Sequence, residues 1–175
     1  MLNPAVAYLL EDIAIELRKV LELDSEVILN PNDFNEISQK IQRDEHYKII
    51  EDVAHDGDSY MVLDEDKYFT FYLFGGKIDN FYDLIEMYTY AIILDKKNLT
   101  SRELNHKVFA FPRPYDESRE SEYLMRAFMI PAQAFKSMIV KYESSPGRCS
   151  VEKMQNELNN KYCYKRGQDL HFWIP

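Results

Sequence analysis

Two short stretches of this chain hold side chains at spacings that could do chemistry. Glu86-Met87-Tyr88-Thr89-Tyr90 sets a carboxylate and a phenol four residues apart, which on a helix places Glu86 and Tyr90 on one face. Glu120-Ser121-Glu122 offers two further carboxylates. A set made of Glu86, Tyr90 and Glu120 or Glu122 supplies oxygen donors. Such donors suit Mg, Mn or Ca, whereas zinc favours imidazole and thiolate. Metal-assisted hydrolysis also needs a general base beside the bound water, and the thioether of Met87 cannot act as one. The competing reading makes Glu86 a solvated helix residue and Tyr90 a packing or hydrogen-bonding side chain.

The remaining chemistry-bearing residues are dispersed. His46, His55, His106 and His171 share no short-range pairing. His55-Asp56-Gly57-Asp58 reads as a hairpin turn before it reads as a metal loop. His106 reads as a surface-loop residue that could fold back toward a neighbouring helix. Cys149 and Cys163, the two cysteines, flank the last helix outside any CxxC pair, so a structural or buried thiol is favoured over a nucleophile. GxGxxG, GxxxxGK[ST] and GxSxG do not occur, which leaves nucleotide binding and serine hydrolysis without support.

The composition limits the classes further. At 175 residues the chain can bury the core of one domain, and 14% aromatic content argues against disorder. A net charge of -9 disfavours nucleic acid and anionic membrane surfaces, with Lys161 to Arg166 as the best local basic patch. Two cysteines fit a reducing cytoplasm better than a secreted disulfide scaffold. The N-terminal apolar run has no basic segment before it, and no uncharged stretch reaches the ~20 residues of a membrane span. The expectation is a soluble cytoplasmic protein.

Periodicity and stop signals then set the elements. Residues 4–22 read as a helix with Val6, Leu9, Leu10, Ile13, Leu17, Val20 and Leu21 on one apolar stripe. Asp33 opens a short helix, with Glu36 placed for a capping box. Tyr47–Ala54, Ser59–Asp64 and Lys67–Phe74 read as strands joined by short turns, which predicts an antiparallel meander of about three strands. The third strand carries aromatic residues on both faces. One face should pack on helices, and the N-terminal helix, a partner or a second copy should cover the other. Asn80 as N-cap and Asp83 as first-turn acid start a helix to about Asp95, with Leu84, Ile85, Tyr88, Ala91 and Ile92 buried. A long loop over residues 96–117 follows, extended at Phe111-Pro112-Arg113-Pro114. Ser118 caps a helix that ends near Pro131, Ala132–Tyr142 forms another, and Ser150 caps a last one with Met154, Leu158 and Tyr162 in register.

This order resembles that of the ImmA/IrrE family of zinc-dependent metallopeptidase-like proteins. Glu120-Ser-Glu122-Tyr-Leu-Met-Arg-Ala-Phe128-Met-Ile-Pro131 is similar to the family's second motif, a helix with a ligand glutamate and an apolar-Pro ending. The Ser150–Tyr162 segment with its tail looks like the family's small C-terminal helical unit. The likeness covers roughly residues 45–175. If Ile92-Ile93-Leu94 matches the apolar run after the family's HExxH motif, Glu86 and Tyr90 fall near the two histidine positions and Met87 at the catalytic glutamate. The helix over residues 80–95 has no histidine at all.

The resemblance implies an α+β fold with a zincin-like core. It forms a single domain: N-terminal helices over 1–45, sheet and two core helices over 46–143, and a small C-terminal helical unit over 144–175. It implies a catalytically inactive pseudo-peptidase with a remnant site at Glu86, Met87, Tyr90, Glu120 and Glu122, without cofactor or metal. The expected role is regulation, including transcription regulation, in a bacterium, prophage or mobile element through protein–protein contact, with a helix-turn-helix repressor as candidate partner. One alternative is a divergent metal-dependent peptidase or hydrolase with Glu86, Tyr90 and Glu120 or Glu122, with His106 as a further candidate group, where zinc would enter. Another is a DNA-associated regulator using Lys161, Lys165 and Arg166.

Overall fold

The computed structural model describes residues 3–52, 57–64, 66, 68–96, 107–110, 119–143 and 151–162. His55, Asp56, His106, His171, Cys149, Cys163, Lys165, Arg166, the 111–114 segment and the expected caps Ser118 and Ser150 lie outside the described residues. The fold is α+β.

Helix α1 (Pro4–Val20) begins where the Asn3 side chain accepts the Ala5 N–H at 2.9 Å, with Pro4 in the first turn. It closes with the Leu23 N–H donating to the Arg18 carbonyl at 2.8 Å and the Glu22 N–H to the Lys19 carbonyl at 3.0 Å. Glu22 therefore takes a φ of +50°, the left-handed position that glycine usually fills at a helix end. The expected single stripe on α1 needs correcting. Leu10, Ala14, Leu17 and Leu21 are buried, but Leu9 is 59% and Val20 72% exposed. Both lie at the margin of the stripe, where a helix packed on one neighbour turns its flank to water.

The second helix also starts differently from expectation. A 3-10 turn (Pro31–Asp33) precedes α2 (Phe34–Ile41). The capping box is formed by Asn30 and Asp33, not by Asp33 and Glu36. The Asn30 side chain accepts the Asn32 N–H at 2.9 Å, and the Asp33 carboxylate accepts the Asn30 N–H at 2.8 Å. Glu36 instead pairs with Lys40 one turn on, at 2.6 Å.

The sheet comprises β1 (Tyr47–Glu51), β2 (Tyr60–Leu63), β3 (Phe69–Leu73) and β4 (Lys107–Ala110), in the order β1-β3-β2-β4. The meander is thus replaced by a mixed sheet. β3 lies between β1 and β2, parallel to the first and antiparallel to the second. β4, inside the stretch read as loop, pairs antiparallel with β2. The physical reason is burial. Phe69, Phe71 and Leu73 are the most apolar inward set and are almost wholly buried, so β3 takes an interior position. The connection from β1 to β2 is long enough to pass one strand spacing of ~4.8 Å. At the β1 edge the Gln42 side chain accepts the Ile49 N–H at 3.2 Å, which occupies a donor that could template another strand.

Helix α3 (Lys77–Lys96) packs against β3, α2, the 3-10 turn and α4 (Arg119–Met129). It is buried almost all round, with Phe81, Leu84, Ile85, Met87, Thr89 and Ala91 at 0% exposure. It starts three residues earlier than the cap reading put it. Asn80 and Asp83 are buried inside the helix, at 3% and 5% exposure, and Ile92 is only half-buried. α1 lies chiefly on α4 and not on the far face of the sheet. That face carries Ile50, Tyr60, Val62, Thr70 and Tyr72, all half-buried, with the Tyr60 and Tyr72 rings stacked at 4.6 Å. Helices α5 (Ala132–Glu143) and α6 (Val151–Tyr162) pack on each other, with Met138, Met154 and Leu158 buried. Among the described residues no helix is long and apolar enough to cross a membrane.

Candidate functional site

The two stretches that could do chemistry fall on neighbouring helices, because α3 and α4 pack side by side. On α3, Glu86 and Tyr90 are half-buried, while Met87 between them is 0% exposed. Met87 thus belongs to the core, and no ionisable group stands at that position. Tyr88 is buried too. Its ring meets Tyr47 edge-on at 5.2 Å and Phe128 at 6.2 Å. Burial raises the pKa of the Tyr88 hydroxyl above the ordinary phenol value, and Asp44 adds to the rise. Tyr47 is raised in the same direction by burial, then by Tyr88, Asp44 and Asp95. Both phenols stay neutral at physiological pH and are poor candidates for phenolate ligands. Thr89 turns its hydroxyl back to the Ile85 carbonyl at 2.8 Å, so it is satisfied within its own helix.

On α4, Glu120 and Glu122 are half-buried. The Glu122 carboxylate accepts a short hydrogen bond from Arg126 four residues on, and the Arg126 side chain is 6% exposed. That pair is charge-assisted and its arginine is shielded from water, so the Glu122 carboxylate, 31% exposed, is already engaged. Tyr123, on the same helix, donates to Glu11 of α1 at 2.7 Å. Burial and then this bond to a carboxylate raise its pKa. Among the described residues no three His, Cys, Asp or Glu side chains come close enough to hold a metal ion. The one described histidine, His46, is exposed. Its Nδ1 lies 2.8 Å from the Asp44 carboxylate and its ring stacks on Tyr68 at 5.3 Å. Burial raises the Asp44 pKa, but the His46 backbone and side chain outweigh it and hold the carboxyl below its usual value.

The apolar-Pro ending of α4 has a structural task. Phe128, Met129 and Ile130 are almost wholly buried. The last carbonyls of a helix lack intrahelical partners, and here they find them on the N-terminal unit. The Arg18 guanidinium, 2% exposed, donates to the Phe128 carbonyl at 2.5 Å, to the Val27 carbonyl at 2.6 Å and to the Asp24 carbonyl at 3.1 Å. The Leu29 N–H donates to the Met129 carbonyl at 3.0 Å. A cation at a helix C-terminus is also favoured by the helix dipole, and Arg18 lies 6.0 Å from the Phe128 ring centroid.

Arg18 was not singled out by sequence reasoning. The signal was its position four residues after Ala14 and three before Leu21, on the buried side of α1. Asn80 and Asp83, expected at the start of α3, form a second buried polar cluster. Asp83 accepts the Ser59 hydroxyl at 2.7 Å under the start of β2. One turn earlier the Asn80 side-chain oxygen is buried with no hydrogen-bond partner among the described residues. It faces Gly75, where an added Cβ would fall 2.8 Å from the Asp79 Cβ, so the chain passes too close there for a larger residue.

No protein-family model, curated protein or solved structure matches this chain.

Proposed function

We propose that the chain is a catalytically silent relative of the ImmA/IrrE-like zincins that works by binding another protein. The observation that carries this reading is the pair α3–α4 with a buried thioether, Met87, where the resemblance puts the catalytic glutamate. Where the resemblance puts the reacting groups, the chain has a half-buried Glu86 and Tyr90 in place of the histidines, a wholly buried Met87 in place of the catalytic glutamate, and a Glu122 engaged by Arg126. Hydrolysis at a metal needs ligands, an activated water and a base. Met87 supplies packing and cannot act as a base at that position. The retained framework, α4 closing in Phe128-Met129-Ile130-Pro131 against α1, is what a binding role would use. The candidate partner is a helix-turn-helix repressor, and the setting is regulation in a bacterium or mobile element.

Metal analysis of the purified protein, together with a peptidase assay, tests this. The expected result is substoichiometric zinc and no cleavage. Stoichiometric zinc with cleavage, both lost in Glu120→Ala, would establish a divergent metal-dependent hydrolase instead.

A further inference from the structure

The outward side of α1 carries apolar side chains where a surface helix would be polar. Tyr8 is 70% exposed, Leu9 59%, Ile15 45% and Val20 72%. Tyr8, Asp12, Ile15 and Lys19 follow each other at steps of four, three and four, which is the spacing of a helix-pairing seam. Asp12 and Lys19 are both exposed. Lys19 meets Glu16 at 2.7 Å, with both side chains about two-thirds exposed at 67% and 66%. An ion pair that open to water holds its lysine only weakly, so Lys19 can turn to another carboxylate.

We infer that this face of α1 pairs antiparallel with α1 of a second copy of the chain, around a two-fold axis at Ile15. Charge order selects the occupant and the direction. The acid lies in the N-terminal half of the seam and the base in the C-terminal half. Antiparallel pairing about Ile15 sets Asp12 of each copy against Lys19 of the other. It also lays Tyr8 and Leu9 of one copy over the Val20 end of the other and brings the two Ile15 side chains together. A parallel pair would oppose Asp12 to Asp12 and Lys19 to Lys19. An isologous contact of this kind closes on itself and does not propagate. One exposed helix face falls short of the ~1,000 Å² that a stable interface clears, so the dimer is weak, with Kd on the order of 100 µM. This inference stands apart from the proposed function, since it uses no residue of α3 or α4.

Sedimentation velocity on the full chain tests it, between about 10 and 500 µM at low salt, where surface charges are least screened. The expected result is monomer at the low end and mostly dimer at the high end. Ile15→Glu is expected to raise Kd at least ~10-fold, and Asp12→Lys by a similar factor, as two like-charge contacts of Lys on Lys replace attraction. Asp12→Lys combined with Lys19→Asp is expected to restore Kd to within about 3-fold. All three positions are exposed, and an unchanged thermal melt serves as the folding control. A monomer throughout would overturn the proposal and leave the face to a different protein. A dimer indifferent to Ile15→Glu, or a charge swap that does not restore pairing, would overturn it as well.

Discussion

Phe128 is held in two different ways. Its carbonyl receives the Arg18 guanidinium, in a polar knot that also ties down the Asp24 and Val27 carbonyls. Its ring meets Tyr88 on α3 in an apolar contact next to Met87. The first grip is directional and leaves few arrangements open, because a planar guanidinium matches several carbonyls only in one geometry. The second is a matter of volume and tolerates exchange between side chains of similar size. The ending of α4 is therefore fixed by hydrogen bonds from another part of the chain. Met87 at the centre of α3, where the resemblance puts the catalytic glutamate, is held by packing. A framework can be kept by the first kind of contact while the second kind changes its residues.

The largest effect is expected at the polar grip. Arg18→Ala strips donors from buried carbonyls at the end of α4 and in the 24–27 segment, and should cost roughly 3–5 kcal/mol in urea unfolding. Arg18→Lys should recover less than half of that, because an ammonium cannot fork among the three acceptors. A loss under about 1 kcal/mol for Arg18→Ala would break the contrast between the two grips.

Next comes the apolar side. Met87→Ala should cost about 2–4 kcal/mol by leaving a cavity, whereas Met87→Leu should cost under about 1.5 kcal/mol. If Met87→Ala were neutral in the same unfolding experiment, the centre of α3 would be an open site and not a filled one.

The smallest effect concerns pH. Tyr47, Tyr88 and Tyr123 have folded-state pKa values raised above the unfolded phenol value. Their contribution to stability is present in full below about pH 10, the unfolded value, and is lost as pH climbs toward the folded values. The urea midpoint should hold level up to about pH 9 and fall beyond about pH 10. Tyr88→Phe should make that alkaline fall shallower. Phenolate absorbance for these three residues should then appear with unfolding and not before it.

Much of this was legible in the sequence because it depends on neighbours along the chain. The apolar spacing along residues 4–22 marks α1, aromatic-rich runs bounded by turn residues mark the strands, and the spacing of Leu84, Ile85, Tyr88 and Ala91 marks α3. Strand order was not legible. Short connections suggested a meander, yet Phe69, Phe71 and Leu73 drew β3 between its neighbours. The Asn80 and Asp83 pair looked like a helix start because acids and amides favour that position. They are in fact buried one turn inside it, where Asp83 holds Ser59. At the candidate site, the absence of histidine and the thioether at position 87 could be read directly. That Glu122 is engaged by Arg126 could be suspected from their spacing of four, but the near-complete burial of that arginine could not.

The sequence alone determined the helices and three of the four described strands, and that the Glu86–Tyr90 stretch holds no histidine and has Met87 where the resemblance puts the catalytic glutamate. These follow from local propensity and from residue identity. Only the tertiary structure decided the order of strands, which flank of α1 is open, and that Arg18 closes the end of α4. Those outcomes depend on contacts between residues far apart in the chain, such as Arg18 and Phe128. Their pairing is set by which buried donors and acceptors must find one another once the core forms.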